Sequence, residues 1–313
     1  MIESITSIGL PVDEQLEIKK RRILPKGYPK MTEGRPKRIC IVTGIHGDEL
    51  EGQSVCFDLG RTIIQNMENL DGIVDLYPAI NPLGIDSITR GIPGFDLDMN
   101  RVFPGDSEGT MTEYIASQII EDLKDADFCI DIHASNIFLT ELPQIRINEK
   151  TKEQLVPYAR HLNMDFIWIH GAATVLESTL AYSLNSIQVP TLVVEMGVGM
   201  RITKEYTKQL VDGILALMKE LGMWKGTTIT PREPLMAKEE QVQFINAKEA
   251  GIFIKKAEIG SNVKQGERLG QIVDPLHLVV VEEIYAPCNG VLFTIREYPV
   301  VDEGSLIARI LEV

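Results

Sequence analysis

Two histidines and a glutamate in this sequence have the residue types and the spacing of a metal site. His46 and Glu49 lie three residues apart in a glycine-flanked turn that follows the apolar run at residues 39–43. Imidazole nitrogen and carboxylate oxygen suit zinc, and a catalytic zinc site takes three protein ligands and leaves one position for water. His133, which ends a second apolar run, is the best candidate for the third ligand, because open α/β sheets bind ligands beyond the carboxyl ends of their strands.

The alternative for each histidine is a structural role. A single histidine after a strand more often completes a local hydrogen bond than binds a metal. The two together, with Glu49 beside His46, favour the metal. His170 also ends a strand-like run, and it is either a further ligand, a substrate contact or a hydrogen-bonded structural residue.

Glu195 ends a third apolar run, at residues 189–197, and is followed by Met196 and Gly197. A buried carboxylate must be paired or have its pKa raised. A raised pKa suits a general base that takes a proton from water activated by zinc and later gives one to the leaving nitrogen. The alternative is a glutamate at the end of a strand that pairs with an arginine.

Two arginines lie in the long loop at residues 81–109, between the candidate ligand strands. Arg90 and Arg101 each carry a planar guanidinium that can hold a carboxylate through two hydrogen bonds or polarise a carbonyl oxygen. They would therefore suit an anionic amide substrate. The alternative is that they only tie the loop to Asp96 or Asp98.

The composition excludes several classes of protein. The chain has 313 residues, of which 44% are hydrophobic, and a net charge of −14; this indicates a soluble globular protein and argues against binding to nucleic acid or to an anionic membrane surface. The N-terminus lacks the regions of a signal peptide, and no run approaches the roughly 18 apolar residues of a membrane span. We therefore expect a cytoplasmic protein.

The elements that position these residues form an α/β fold. The run at 39–43, a helical pattern at residues 50–67 and a second strand at residues 73–80 predict a βαβ unit with two parallel strands. The long loop at residues 81–109 has no periodicity. A capping box from Thr110 to Glu113 then predicts the start of a helix.

The last third of the chain changes character near residue 226. Glycines and valines there separate short strands at regular intervals, which predicts a catalytic α/β domain at residues 1–225 and an all-β domain at residues 226–313. A faint internal repeat resembles the sandwich of biotinyl and lipoyl carrier domains, but residues 271–285 contain no lysine. We expect this domain to carry no cofactor and to pack on the catalytic domain, shape the cleft or form a contact in a homo-oligomer.

Together these motifs resemble the succinylglutamate desuccinylase/aspartoacylase family, relatives of the zinc carboxypeptidases, over nearly the whole chain. Residues 44–52 look like the first zinc motif of the family and residues 131–133 like the second. The resemblance implies that His46, Glu49 and His133 bind one Zn²⁺ per chain. It also implies a mixed central sheet flanked by helices, with a smaller C-terminal sandwich or barrel-like domain.

The resemblance also suggests roles for four other residues. Residues 98–105 resemble the family loop whose asparagine and arginine hold the substrate carboxylate, which corresponds to Asn100 and Arg101. Arg90 lies where the family has the arginine that polarises the scissile carbonyl. Glu195 matches the catalytic glutamate that activates water.

The implied activity is zinc-dependent hydrolysis of the amide bond of a small N-acyl amino acid or a related N-acyl amine. Residues 134–136 and 141–143 differ from the enzymes that give the family its name, so the sequence does not identify the acyl group or the amine of the substrate. One alternative is a metallocarboxypeptidase that acts on peptides. Another is a non-catalytic metal-binding or metabolite-binding protein, for which Glu195 would be dispensable. The third is a carrier or interaction protein, against which the missing lysine counts.

Overall fold

Apolar runs and amphipathic segments alternate along the chain and fold into strands and helices. The structure, a computed structural model, describes residues 1–28, 35–94, 97–171 and 177–313. The helices in these residues are α1 (Glu51–Gln65), α2 (Pro82–Ser87), α3 (Met111–Leu123), α4 (Lys152–Ala159), α5 (Leu180–Ser186) and α6 (Lys204–Glu220). The strands are β1 (Ile2–Leu10), β2 (Glu14–Ile23), β3 (Arg38–Thr43), β4 (Ile73–Tyr77), β5 (Phe128–His133), β6 (Leu139–Asn148), β7 (Phe166–His170), β8 (Thr191–Gly197), β9 (Leu235–Lys238), β10 (Val242–Asn246), β11 (Gly251–Lys255), β12 (Asn262–Val263), β13 (Arg268–Asp274), β14 (Val279–Tyr285), β15 (Gly290–Arg296), β16 (Val300–Val301) and β17 (Leu306–Glu312).

The central sheet is covered on both faces. In β3, Ile39 and Ile41 pack with α1, α4 and α6, whereas Cys40 and Val42 pack with α3 and α5 on the opposite side. A strand buried on both faces needs a continuous apolar run, and β3 has one. The helices therefore lie in two layers around the sheet.

The sheet is mixed, with the order β1-β2-β4-β3-β5-β8-β6-β15-β17-β10 along its main path. Strands β4, β3, β5 and β8 are parallel, whereas β2 and β6 run antiparallel to their neighbours β4 and β8. The predicted βαβ unit is confirmed, because β3 and β4 are parallel and α1 connects them. The predicted α/β class with a mixed central sheet is also confirmed.

The loop at residues 81–109 is more ordered than its lack of periodicity indicates. It contains α2 and a 3-10 turn at Met99–Arg101. Asn81 accepts a hydrogen bond from the backbone N–H of Gly84, and Pro82 occupies the first turn. An asparagine cap followed by proline is a start signal that acts over only a few residues. The helix is too short to give an apolar period.

The C-terminal region has a second, antiparallel sheet in the order β14-β13-β11-β16. It shares a hydrophobic core with residues of β15 and β17, so a β-sandwich is present as predicted. The other layer of this sandwich extends the central sheet, because β15 pairs with β6. The division of the chain into a domain of residues 1–225 and a domain of residues 226–313 stays a prediction. Among the described residues, none of the helices combines the length and apolar character needed to cross a bilayer.

A cluster of charged side chains, most of them buried, connects β2, β3 and β4. Asp75 is fully buried and accepts hydrogen bonds from Arg22 at 2.7 and 2.8 Å and from Arg38 at 2.7 Å, and Lys20 lies 3.6 Å away. Burial alone would raise the pKa of Asp75, but these cations, Arg22 first, lower it below its ordinary value. The carboxylate is thus charged and fully compensated.

Asp75→Asn should lower the free energy of unfolding at pH 7 by about 2 kcal/mol or more, because it weakens the charged hydrogen bonds to Arg22 and Arg38, although Glu3 and Asp122 still contact these cations. The folded pKa of Asp75 lies below its ordinary value of 3.8, so its stabilisation is present above that pH and is lost as pH falls. Urea denaturation at pH 7 and near pH 3 should show that the difference in free energy of unfolding between wild type and Asp75→Asn is smaller near pH 3. Asp71→Asn, which breaks an exposed pair with Lys225, should cost less than about 1 kcal/mol. A gap that is small at pH 7 or independent of pH would contradict this account.

Candidate functional site

Neighbouring parallel strands bring the predicted site residues to one edge of the sheet. Strand β3 ends three residues before His46, and its neighbour β5 ends at His133. Strand β8 pairs with β5 so that Glu195 lies opposite His133. All three line a cavity of about 620 Å³, called here the cleft, together with Glu49. The structure therefore brings together residues that lie up to about 150 positions apart in the chain.

His46, Glu49 and His133, called here the candidate ligand group, converge on one point. Nδ1 of His46 lies 2.8 Å from Oε1 of Glu49, and Nδ1 of His133 lies 3.1 Å from Oε2. One ligand atom from each residue can be chosen so that all lie within 4.8 Å of one another, so the group could hold a metal ion. Although it lies close to Glu49, the buried Nδ1 of His46 makes no hydrogen bond of normal geometry, which leaves its lone pair available to a cation.

A carboxylate lies at the outer nitrogen of each histidine in the group. Nε2 of His46 is 3.0 Å from Oδ1 of Asp98, and Nε2 of His133 is 3.1 Å from Oδ2 of Asp131. Histidines that bind metals commonly donate the other ring N–H to a carboxylate, which fixes the tautomer. This arrangement directs both Nδ1 atoms at Glu49 and fits the chemistry of a metal site.

The charges of the group also favour a cation at this point. Burial lowers the pKa of both histidines, but Glu49 raises that of His46 and Asp131 raises that of His133, and the net shift of each is upward. Burial raises the pKa of Glu49, but the two histidines lower it to below its ordinary value. The point between these side chains therefore attracts positive charge, either protons or a metal ion that displaces them.

The partners of the histidines were not predicted. Asp131 lies two residues before His133 in β5, so their side chains project from the same face of the strand; that spacing is a signal in the sequence. The sequence indicates Asp98 only as an anchor for the arginines. Its contact with His46 spans 52 positions, and no local pattern indicates it.

Glycine allows the turn of His46 to contact the following loop. A Cβ on Gly47 would lie 1.9 Å from the carbonyl carbon of Gly84, so only glycine fits there. The N–H of Gly47 also donates to the carbonyl oxygens of Thr89 and Arg90, at 3.1 and 3.3 Å. This close approach places Arg90 beside the candidate ligand group.

Arg90 contacts two acids of the site. Its Nη1 lies 2.8 Å from Oε1 of Glu49, and its Nη2 lies 3.4 Å from Oδ2 of Asp98. The alternative that Arg90 ties the loop to Asp98 therefore agrees with the structure, whereas Asp96 lies outside the described residues. The guanidinium is also beside the candidate ligand group, where a bound carbonyl could reach it.

The other loop residues have different environments. Asn100 is buried, and its Oδ1 accepts a hydrogen bond of 2.9 Å from the N–H of Leu180 in α5. Arg101 donates to the carbonyl oxygen of Asn100 at 2.8 Å and lines the cleft. In the described part of the chain it has no carboxylate partner, so its guanidinium is available to a ligand.

Glu195 combines the two alternatives considered for it. Burial raises its pKa to about 7, against the opposing effect of Arg146, and Nη1 of Arg146 lies 3.2 Å from its Oε1. It is therefore both paired with an arginine and poised to exchange a proton near neutral pH. Arg146 was not predicted as part of the site.

Other histidines lie outside the candidate ligand group. His170 is half-buried and lines the cleft; burial and then Arg146 lower its pKa. His277 is exposed, and its Nδ1 lies 2.5 Å from Asp274. Within the described ranges, the cluster with metal-binding spacing includes neither of them.

Comparison with known proteins adds evidence that is independent of this geometry. A family model described as the succinylglutamate desuccinylase/aspartoacylase catalytic domain matches residues 35–221. The N-alpha-acetyl-L-2,4-diaminobutyric acid deacetylase of Halomonas elongata is 27% identical over 322 aligned positions, which cover 98% of this chain and 90% of that protein.

Solved structures share the fold over nearly the full length. The product-bound ectoine utilization protein EutE (DoeB) from Ruegeria pomeroyi has a TM-score of 0.83 at 18% identity, covering 100% of this chain and 95% of that one. A succinylglutamate desuccinylase/aspartoacylase from Rhodobacter sphaeroides has a TM-score of 0.80 at 23% identity, covering 99% and 95%. At these identities the likeness establishes the fold alone.

Proposed function

The chain belongs to the succinylglutamate desuccinylase/aspartoacylase family and is a hydrolase of amide bonds other than peptide bonds, and on this basis we propose that it is a zinc-dependent deacylase of small N-acyl amino acids or related N-acyl amines. The observation that carries the proposal is the convergence of His46, Glu49 and His133 on one point, with Glu195 on the neighbouring strand. Two histidines and a glutamate are a ligand set of catalytic zinc sites.

The candidate ligand group would hold one Zn²⁺ per chain. When bound, zinc supplies a Lewis acid for the carbonyl and lowers the pKa of water to around 7. Asp98 and Asp131 orient the two histidines through their Nε2 atoms. Glu49 accepts a hydrogen bond of 3.1 Å from the backbone N–H of Ala134, which fixes its carboxylate.

The proton transfers are carried by Glu195. As a carboxylate it takes a proton from the attacking water, and as the acid it gives that proton to the leaving nitrogen. Arg90 stabilises the negative charge that develops on the carbonyl oxygen. Asn100 and Arg101 bind the carboxylate of the amino acid, a role for which the guanidinium of Arg101 is open toward the cleft.

The cleft is suited to an anionic or neutral side chain on the substrate. Each described acid that lines it already has a cationic or metal-site partner: Glu49, Asp131, Glu141 and Glu195. Lys150 and Arg101, in contrast, line the cleft, and their charged groups have no carboxylate partner among the described residues. A substrate ammonium would find no available carboxylate there.

Among N-acetyl amino acids, those of aspartate and glutamate should therefore have at least about tenfold higher kcat/KM than that of 2,4-diaminobutyrate, because one such charge contact is worth about 1.4 kcal/mol. This selectivity would differ from what the name of the Halomonas relative states. Steady-state rates on a panel of acetyl, succinyl and formyl derivatives would measure it. Preference for the diamino acid would contradict the charge argument, and no turnover of any N-acyl compound would contradict the proposed function.

The second candidate, a metallocarboxypeptidase, shares the chemistry and differs in the substrate. A cavity of about 620 Å³ is in the range of small-ligand sites, which favours the deacylase. Dipeptides with the same C-terminal residues belong in the same panel. Faster cleavage of dipeptides than of the N-acyl amino acids would favour the carboxypeptidase.

A further inference from the structure

Arg309, in the last strand β17, reaches the cleft from the C-terminal part of the chain. Its side chain is only 16% exposed. The guanidinium lies over the rings of Trp168 and Phe244, 5.6 and 5.4 Å from their centroids. Its Nη1 donates a hydrogen bond to Glu141 in β6, across 168 positions of the chain. Two aromatic rings and one carboxylate therefore hold this arginine in place.

Glu141 is the link between Arg309 and the site. It is 1% exposed and also accepts hydrogen bonds from Nη2 of Arg146 at 2.9 Å and from Nε2 of Gln144 at 3.0 Å. The pairing of β6 with β8 changes register between Glu141 and Gln144, and such irregularities redirect side chains beside active sites. A buried carboxylate between two guanidiniums has little freedom to move.

Arg146 connects Glu141 to the proposed general base. One arm of its guanidinium, Nη2, is held by Glu141, and the other arm, Nη1, lies 3.2 Å from Oε1 of Glu195. Because the guanidinium is planar and rigid, fixing one arm fixes the direction of the other. Trp168 also packs against it, 5.5 Å from ring centroid to guanidinium, so Trp168 contacts both arginines.

We propose that Arg309 is a positioning residue of this hydrolase: through Glu141 it holds Arg146 against Glu195 and so sets the orientation of the Glu195 carboxylate. The inference rests on the proposed function only for the catalytic role of Glu195. It gives the C-terminal strands a part in the active site, although the family model ends at residue 221. Without Arg309, Glu141 retains one cationic partner, and it draws Arg146 toward itself and away from Glu195.

Arg309→Gln should lower kcat about tenfold or more while KM changes by less than about twofold, because a small misplacement of a catalytic group affects the chemical step more than binding. Arg309→Lys keeps the cation beside Glu141 and should recover most of kcat. Arg268→Gln is the matched control, because Arg268 pairs with Glu283 on the exposed face of the second sheet, and it should match wild type.

Two further measurements separate positioning from general stability. The double variant Arg146→Gln/Arg309→Gln should be no slower than Arg146→Gln alone, because both changes break the same series of contacts. Crystal structures of wild type and Arg309→Gln should show that the contact between Arg146 and Glu195 is lost in the variant. Wild-type kcat in Arg309→Gln, additive losses, or a retained contact would each overturn the inference. If wild type hydrolysed no N-acyl compound, the proposed function would fail, and the crystal structures would still decide whether Arg309 positions Glu195.

Discussion

Glu195→Gln should reduce kcat for amide hydrolysis about 10²- to 10⁴-fold, the range that a positioned general acid and base contributes. Glutamine is nearly the same size, and its carbonyl oxygen can still face Nη1 of Arg146, so the site keeps its shape. It cannot take up a proton at neutral pH. Because Glu195 does not belong to the candidate ligand group, the variant should retain zinc. KM should change little, since the substrate carboxylate is assigned to other residues.

Metal content by elemental analysis and steady-state kinetics on the same sample test this result together. Glu297→Gln makes the same chemical change at an exposed glutamate that pairs with Lys255, and it should behave as wild type. Turnover that persists in Glu195→Gln would exclude the mechanism. Bound metal without turnover in the wild-type protein would favour a metal-binding protein without catalysis, in which Glu195 is dispensable. Loss of metal together with activity would instead place Glu195 among the ligands.

Local sequence patterns were sufficient to predict the elements that carry the site. An apolar run followed by glycine and histidine places that histidine at the carboxyl end of a strand, as in β3 and its turn with His46. The three-residue spacing to Glu49 then brings two candidate ligands together with no knowledge of the rest of the fold. Glu195 was predictable for a related reason, because an acid at the end of a buried strand is rare unless it is paired or functional.

Contacts across long distances in the chain could not be predicted in this way. Arg309 reaches Glu141 because β15 joins β6 and thereby extends the central sheet into the C-terminal region. Nothing in the residue pattern of β17 indicates that pairing, because Arg309 is a single cation between apolar residues. Arg146 was also missed, since one cation in a strand of alternating residues indicates an exposed position. Its contacts with Glu141 and with Glu195 on β8 make it half-buried instead.

The short helix α2 and the contact of Gly47 with Gly84 illustrate a different limit. The signals for both are present in the sequence, as Asn81 before Pro82 and as closely spaced glycines, but each also occurs in ordinary loops. Only the close approach of one backbone segment to another distinguishes such a glycine contact from an ordinary loop. The position of Arg90 depends on this approach, so the loop could be identified as functional before its geometry was known.

His46→Ala should abolish both metal binding and activity, because it removes one of three protein ligands and leaves Glu49 and His133 with a cation they cannot hold at micromolar concentrations. Wild-type protein should contain about one zinc ion per chain, lose activity on dialysis against a chelator and recover it when zinc is added back. Elemental analysis and activity of the same preparations provide the measurement.

Asp98→Asn should weaken metal binding less than His46→Ala does, because it keeps all three ligands and removes only the carboxylate at Nε2 of His46. Removal of such a partner weakens metal affinity about 10- to 100-fold, so added zinc should restore Asp98→Asn but not His46→Ala. His277→Ala changes an exposed histidine that does not line the cleft and should keep a full complement of metal. The order wild type and His277→Ala, then Asp98→Asn, then His46→Ala is specific to a site in which the imidazole of His46 binds the ion and Asp98 orients it. Wild-type protein that binds no divalent ion, or a His46→Ala variant that binds one as tightly as wild type, would refute the metal site and with it the zinc-dependent mechanism.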